Sequence, residues 1–131
     1  MRRAFAASGF SSQRVSTAKL RPSEVISGAC IKAATGERVW ETFAPVTNAE
    51  GRWANAFLVK HRDRFFIHNE KGDLIIAKLS PKGYDEISRA NLIAPTNTGR
   101  GRQLVWSHPA FANKSIYLRN DRVIRCYSLA K

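Results

Sequence analysis

From Ile26 onward the chain alternates short apolar, β-branched and aromatic runs with turn-forming residues. "WANAFLVK" and "RFFIHN" are two such runs; "EKGD" separates them from "LIIAKLS", and "PKG" leads into "YDEISRANLI". Beyond the loop "APTNTGRGR" the pattern resumes in "LVWSHPAFA", "SIYLRN", a tight "DR" turn and "VIRCYSLA". Runs of this composition fit a pleated, half-buried surface, and the Gly, Pro, Asn and Asp between them supply turns. The pattern predicts an all-β chain folded as an antiparallel meander. "YDEISRANL" contains helix formers but has no helical period, so it is read as a strand.

The runs also align with one another. Gly36 falls on Gly83, Ala77 on Cys126 and Asn69 on Asn120, while Trp53 with Ala56 and Phe57 falls near Trp106 with Ala110 and Phe111. The drift among these pairs implies small insertions and deletions, including shortening of the "EKGD" turn to "DR". A unit of about 45 to 50 residues made of four antiparallel strands is the signature of a β-propeller blade. In that frame Thr35 and Gly36 form the hairpin turn between the third and fourth strands, where glycine supplies a positive φ. Trp40 then stands on the outer strand and packs across the boundary between neighbouring blades. Gly83, Trp53 and Trp106 complete the set of structural repeat positions, with the latter two as core anchors.

"TGERVW" is similar to the turn-and-tryptophan motif of the pyrroloquinoline quinone (PQQ)-like quinoprotein β-propeller repeats. The run from about Gly28 to Lys131 resembles the C-terminal end of such a repeat protein, and "NEKGDLIIAKLSPKGYDEISRANLI" and "VWSHPAFANKSIYLRNDRVIRCYSLA" carry most of the likeness. The resemblance implies antiparallel four-stranded blades over residues 28–131: the end of one blade, one full blade and three strands of a last one, an incomplete β-propeller. It also implies a periplasmic or other extracytoplasmic location. The family includes quinoprotein dehydrogenases as well as non-catalytic outer-membrane assembly factors. The sequence departs from the family pattern at Cys30 and Lys32, where alanine and aspartate are usual, and at Ile87, where the second unit lacks a tryptophan. The first thirty residues carry no resemblance.

Composition narrows the picture. With 131 residues, 44% of them hydrophobic and 24% charged, the chain suits one modest core. The net charge of +12 is unusual and could serve a nucleic-acid or acidic-surface partner, but beyond the N-terminus it is scattered as on a solvated surface, and nucleic acid is not the expected partner. Arg2, Arg3, Arg14, Lys19 and Arg21 all precede the first acid, Glu24, so residues 1–27 read as a basic, flexible arm. Its Arg, Ser and Ala bias also suits a targeting peptide, although "AFAA" is too short for a secretory apolar core. Every apolar run breaks within about eight residues, against roughly 20 needed to cross a bilayer.

Candidate chemistry is sparse. A quinoprotein enzyme, as the resemblance would have it, clamps its quinone between aromatic and disulfide faces and binds calcium through carboxylate or amide oxygens beside an Asp base. Here Cys30 and Cys126 are far apart and read as buried strand cysteines. Asp63, Glu70, Asp73 and Asp121 read as solvated turn acids, and the neighbours Asp85 and Glu86 point to opposite faces of a strand. His61, His68 and His108 stand in three different local contexts, unlike a metal set. "TGRGR" precedes a strand, so it lacks the helix dipole of a phosphate loop. No catalytic, cofactor-binding or metal-binding residue is assigned, and no cofactor is expected.

The sequence therefore points to a non-catalytic, propeller-type repeat segment acting as a protein-interaction or scaffold surface. A fragment of a quinoprotein dehydrogenase needing PQQ and calcium is one alternative. A basic nucleic-acid-binding β domain is another, with Lys60, Arg62, Arg64, Arg100 and Arg102 on one rim and Trp53 or Trp106 stacking on bases. That rim is the candidate interaction site. About two blades cannot close a ring, so the chain is expected to self-associate, to pair with a further propeller segment, or to be only marginally folded, with the edge from Val123 to Leu129 as the joining site.

Overall fold

The computed structural model describes residues 13–16, 28–50, 53–99 and 101–130, and every regular element among them is a strand. β1 (Gln13–Ser16), β2 (Gly28–Lys32) and β3 (Arg38–Thr42) form a first antiparallel sheet. β4 (Ala56–His61), β5 (Arg64–Asn69), β6 (Asp73–Ser80) and β7 (Gly83–Asn91) form a central four-stranded meander. β8 (Asn97–Gly99) and β9 (Arg102–Leu104) make a short hairpin within the stretch read as a loop. β10 (Ala110–Ala112), β11 (Ser115–Arg119) and β12 (Ile124–Ser128) close the order as a third sheet. The basic arm lies outside the described residues except for β1.

The central sheet is covered on both faces, which is why β6 reads as an almost unbroken apolar run. Successive residues of a strand point to opposite sides. Ile67, Ile75, Ala77 and Leu79 pack on one side with Trp40 of the first sheet. Phe66 and Leu74 point the other way, onto Ile116, Leu118 and Phe111 of the third sheet, with Ile93 and Val105 from the connection between them. The Phe66 and Phe111 rings stack at 5.3 Å. The single run "LVWSHPAFA" is divided because Leu104 and Val105 are both buried in succession, and the Val105 amide leaves the strand pattern to donate to the Glu70 carbonyl at 2.7 Å.

Two ends follow from this meander. The turns at 33–36, 62–63, 81–82 and 113–114 lie at one end, here the hairpin end. The β5–β6 and β11–β12 turns lie at the other with the long connections, the loop end. There Asn69 acts as a bracket: its amide donates to the Pro45 carbonyl at 2.8 Å, and its Oδ1 accepts the amides of Lys71 and Asp73 at 3.0 Å each. Asn120 repeats the arrangement, donating to the Ala94 carbonyl at 3.0 Å and accepting the amides of Arg122 and Val123 at 2.9 Å each. Ala44-Pro45 and Ala94-Pro95 thus stand in corresponding connections, a recurrence that strand patterning passes over because it lies in loops.

Strand pairing corrects the internal alignment by one residue. The Lys32 amide donates to the Glu37 carbonyl at 2.8 Å, closing the β2–β3 hairpin as Ser80 and Gly83 close β6–β7. Lys32 therefore corresponds to Ser80, and the buried Ala29 to the buried Ala77. Gly36 sits inside its turn with φ 74°, whereas Gly83 opens β7 with φ 145°, so the two glycines are not counterparts. Likewise Tyr117 pairs with Cys126 as Phe66 pairs with Ile76, which equates Cys126 with Ile76 rather than Ala77. The cause is turn length: a longer β2–β3 turn slides the glycine relative to the strand, and one residue of slip exchanges the faces.

Candidate functional site

The four rim residues that the structure describes do not form one surface. Lys60, Arg62 and Arg64 flank the β4–β5 turn at the hairpin end, while Arg102 opens β9 at the loop end. Its Nε and Nη2 donate to the Glu70 carboxylate at 2.8 and 3.0 Å. Glu70 follows β5, so at ~3.3 Å per residue it stands roughly 20 Å from Arg64. Arg100 lies outside the described residues. The hydrogen bond to Glu70 also pushes Arg102 above its ordinary basicity, and the pair neutralises it.

Glu70 and Asp73 are not solvated turn acids. Glu70 is 3% exposed and ties the β8–β9 hairpin to the central sheet. Asp73 accepts from Asn69 at 3.0 Å and Asn91 at 2.9 Å, and pairs with Arg89 at 3.2 Å. Burial pushes the Asp73 carboxyl up, but those two amide hydrogen bonds and the Arg89 charge outweigh it and hold it below the usual range. Arg89 also donates to Glu86 and to the Ala44 carbonyl. The Arg89 hydrogen bond, with that from Tyr84, lowers Glu86 against the opposing effect of burial, and burial followed by the Glu86 contact raises the Tyr84 phenol. These carboxylates fasten connections. What local reading missed is the long-range share of these contacts: Asp73 meets Arg89 and Asn91, 16 and 18 residues away, Arg89 meets Ala44, 45 away, and Glu70 meets Arg102, 32 away.

The tryptophans separate into different roles. Trp40 is half-buried in β3, and its Nε1 donates to the Ser80 carbonyl of the central sheet at 2.7 Å. Thr35, in the turn before it, accepts the Glu37 amide at 3.3 Å. Trp106, expected as a core anchor, is 57% exposed, because the adjacent Val105 takes the buried position. With the half-buried Trp53 it borders a shallow cleft of about 380 Å³ completed by Ala54, Asn55 and Arg102. The histidines stay apart: His61 stacks on Phe66 at 5.6 Å, and His108 meets Phe57 at 3.9 Å. His68 is 1% exposed, with Nδ1 3.1 Å from the Asp73 carbonyl and Nε2 enclosed without a hydrogen-bond partner among the described residues. Burial lowers its pKa, only partly opposed by Asp73.

The third sheet presents an open apolar face. Phe111, Ile116, Leu118 and Tyr127 point inward. Register places Tyr117 beside Cys126 and Arg119 beside Ile124 on the opposite face, where Ile124 is 77% and Tyr117 36% exposed. Cys126, expected to be buried, is exposed here, whereas Cys30 is buried. The Cys126 side chain hydrogen-bonded to Tyr117 raises the phenol. β12 is the end strand of its sheet, and Val123 before it is also exposed.

No known protein family, curated protein or solved structure matches this chain. No helix among the described residues is long and apolar enough to cross a membrane.

Proposed function

We propose that this chain is a non-catalytic, propeller-type repeat segment whose third sheet is a docking face for a further sheet of the same kind. One observation carries this reading. Strand pairing makes Tyr117 the counterpart of Phe66, and Ile124 the counterpart of Leu74. In the central sheet Leu74 is buried and Phe66 partly buried against the next sheet; in the third sheet Ile124 and Tyr117 are exposed. The chain thus repeats the residues of its own internal interface on a face that meets no other described part of it. Apolar side chains beside an unpaired strand edge favour packing and strand addition by another sheet. The engagement of Glu70, Asp73, Glu86 and Arg89 in fastening loops supports the non-catalytic part of the proposal.

In a solution of the purified chain the available sheet is that of a second copy. Amide hydrogen exchange at low and high protein concentration tests the proposal. Protection should rise with concentration across 124–128 and stay constant across β5, which is already interior. Equal exchange of 124–128 at both concentrations, in a chain otherwise folded, would overturn it.

A further inference from the structure

The hairpin end carries a charge imbalance that the docking face does not explain. Lys60, Arg62, Arg64, Lys78, Lys82 and Lys114 all gather there, and all are exposed. Lys60, Arg62 and Arg64 come from β4, β5 and the turn between them. Lys78 lies near the end of β6, Lys82 in the β6–β7 turn, and Lys114 in the β10–β11 turn. The aromatic chain His61–Phe66–Phe111, with centroid spacings of 5.6 and 5.3 Å, links the β4–β5 and β10–β11 hairpins from below. Among the described residues Asp63 faces Arg64 at 3.8 Å and Lys78 at 3.7 Å, Asp85 lies opposite Lys78 in the β6–β7 register, and Glu37 is taken up by Lys32 at 2.7 Å beside the 33–36 turn. Both Asp63 contacts are long and solvent-exposed, so they offset little of the charge. The loop end contrasts with this: Arg89 and Arg102 are bound by Asp73, Glu86 and Glu70 there.

We infer that the hairpin end is a sequence-independent binding surface for the phosphate backbone of nucleic acid. Point charges on flexible stems, spread over three hairpin turns, suit a row of phosphates, whose condensed counterions are released on contact. The turn tips are Arg62-Asp63, Pro81-Lys82 and Asn113-Lys114. None offers an aromatic or long aliphatic side chain to insert among lipid tails, which favours a nucleic-acid backbone over a membrane surface. The surface differs from the rim read in the sequence: Arg102 leaves it, and Lys78, Lys82 and Lys114 join it.

The test is fluorescence anisotropy of a labelled random-sequence DNA duplex with the full chain, basic arm included, over a salt series. If the six cations engage, log K should fall against log salt with a slope of about −5, or about a thousandfold loss of affinity between 50 and 200 mM salt. R62E/R64E/K114E should cut that slope by at least half, and R119E/R122E/R125E, on the third sheet near the loop end, should change it less. Asp63→Asn, which removes an anion without disturbing the core, should tighten binding. Absence of binding at 50 mM salt overturns the inference, as does binding that R62E/R64E/K114E and Asp63→Asn leave unchanged. Binding to phosphatidylserine vesicles without binding to the duplex also overturns it.

Discussion

Trp40 and His68 show what a single side chain does in this fold. Trp40 spans the boundary between the first and central sheets, packing on Ile67, Ile75, Ala77 and Leu79 and donating to Ser80. Its truncation to alanine opens that boundary, and Trp40→Ala should cost about 3 kcal/mol of unfolding free energy in urea melts; a loss below half of that would mean the ring is not part of the core. His68 is enclosed in its neutral form, because Nδ1–H donates to the Asp73 carbonyl and Nε2 meets no hydrogen-bond partner among the described residues. The unfolded chain takes up a proton near pH 6.5, but the fold holds the group lower. Its contribution to stability is full above that pH and fades as pH falls toward the lowered folded value. His68→Asn retains a donor without the titration, so its stability should drop less than that of the parent between pH 7.5 and 5. Equal drops would exclude the group. The turn before Trp40 was legible because a Thr-Gly turn and a later aromatic are local signals. Trp106 was not, since the choice between it and Val105 for the inward position depends on where the Glu70 carbonyl captures the chain.

At the scale of elements, alternation and turn chemistry were enough to give an all-β chain of antiparallel meanders. They did not give the β8–β9 hairpin, whose strands are short and whose anchor, Arg102–Glu70, is a long-range pair. Nor did they give strand correspondence, because glycines were matched across turns of unequal length. The two Asn brackets provide the sounder register. Asn69 is fully buried and Asn120 half-buried, so Asn69→Ala should cost about 4 kcal/mol, near 1 for each of its four hydrogen bonds, and Asn120→Ala visibly less. Matching losses would count against their different burial. Glycine supplies a second contrast by thermal melting. A Cβ on Gly72, at φ 86°, would lie 1.6 Å from the Ile93 carbonyl oxygen, whereas one on Gly36, at φ 74°, meets nothing within 4 Å. Gly36→Ala should cost about 1 to 2 kcal/mol from the left-handed backbone alone, and Gly72→Ala far more, since the backbone between β6 and the Leu92–Ile93 segment must move. Comparable melting temperatures for the two would contradict the close approach.

The molecule as a whole has unlike ends and an open side. Cations exceed acids at the hairpin end, while the loop end is laced by ion pairs and Asn brackets. The face of Tyr117, Ile124 and Cys126 repeats positions that are interior one sheet earlier. The correspondence of these positions was not legible in the sequence, because a one-residue misalignment exchanges the two faces of a strand. The two proposals for this surface and the hairpin end separate by salt. Phosphate binding weakens as salt rises, whereas sheet docking between copies of a chain of net charge +12 strengthens as their repulsion is screened. Sedimentation velocity of the purified chain over a concentration series, beside Ile124→Lys, tests the docking face most directly. The account predicts concentration-dependent association that increases with salt and is lost in Ile124→Lys, with the variant still melting cooperatively. A parent chain that sediments as one monomeric species at every concentration and salt, or association that Ile124→Lys leaves intact, would contradict it.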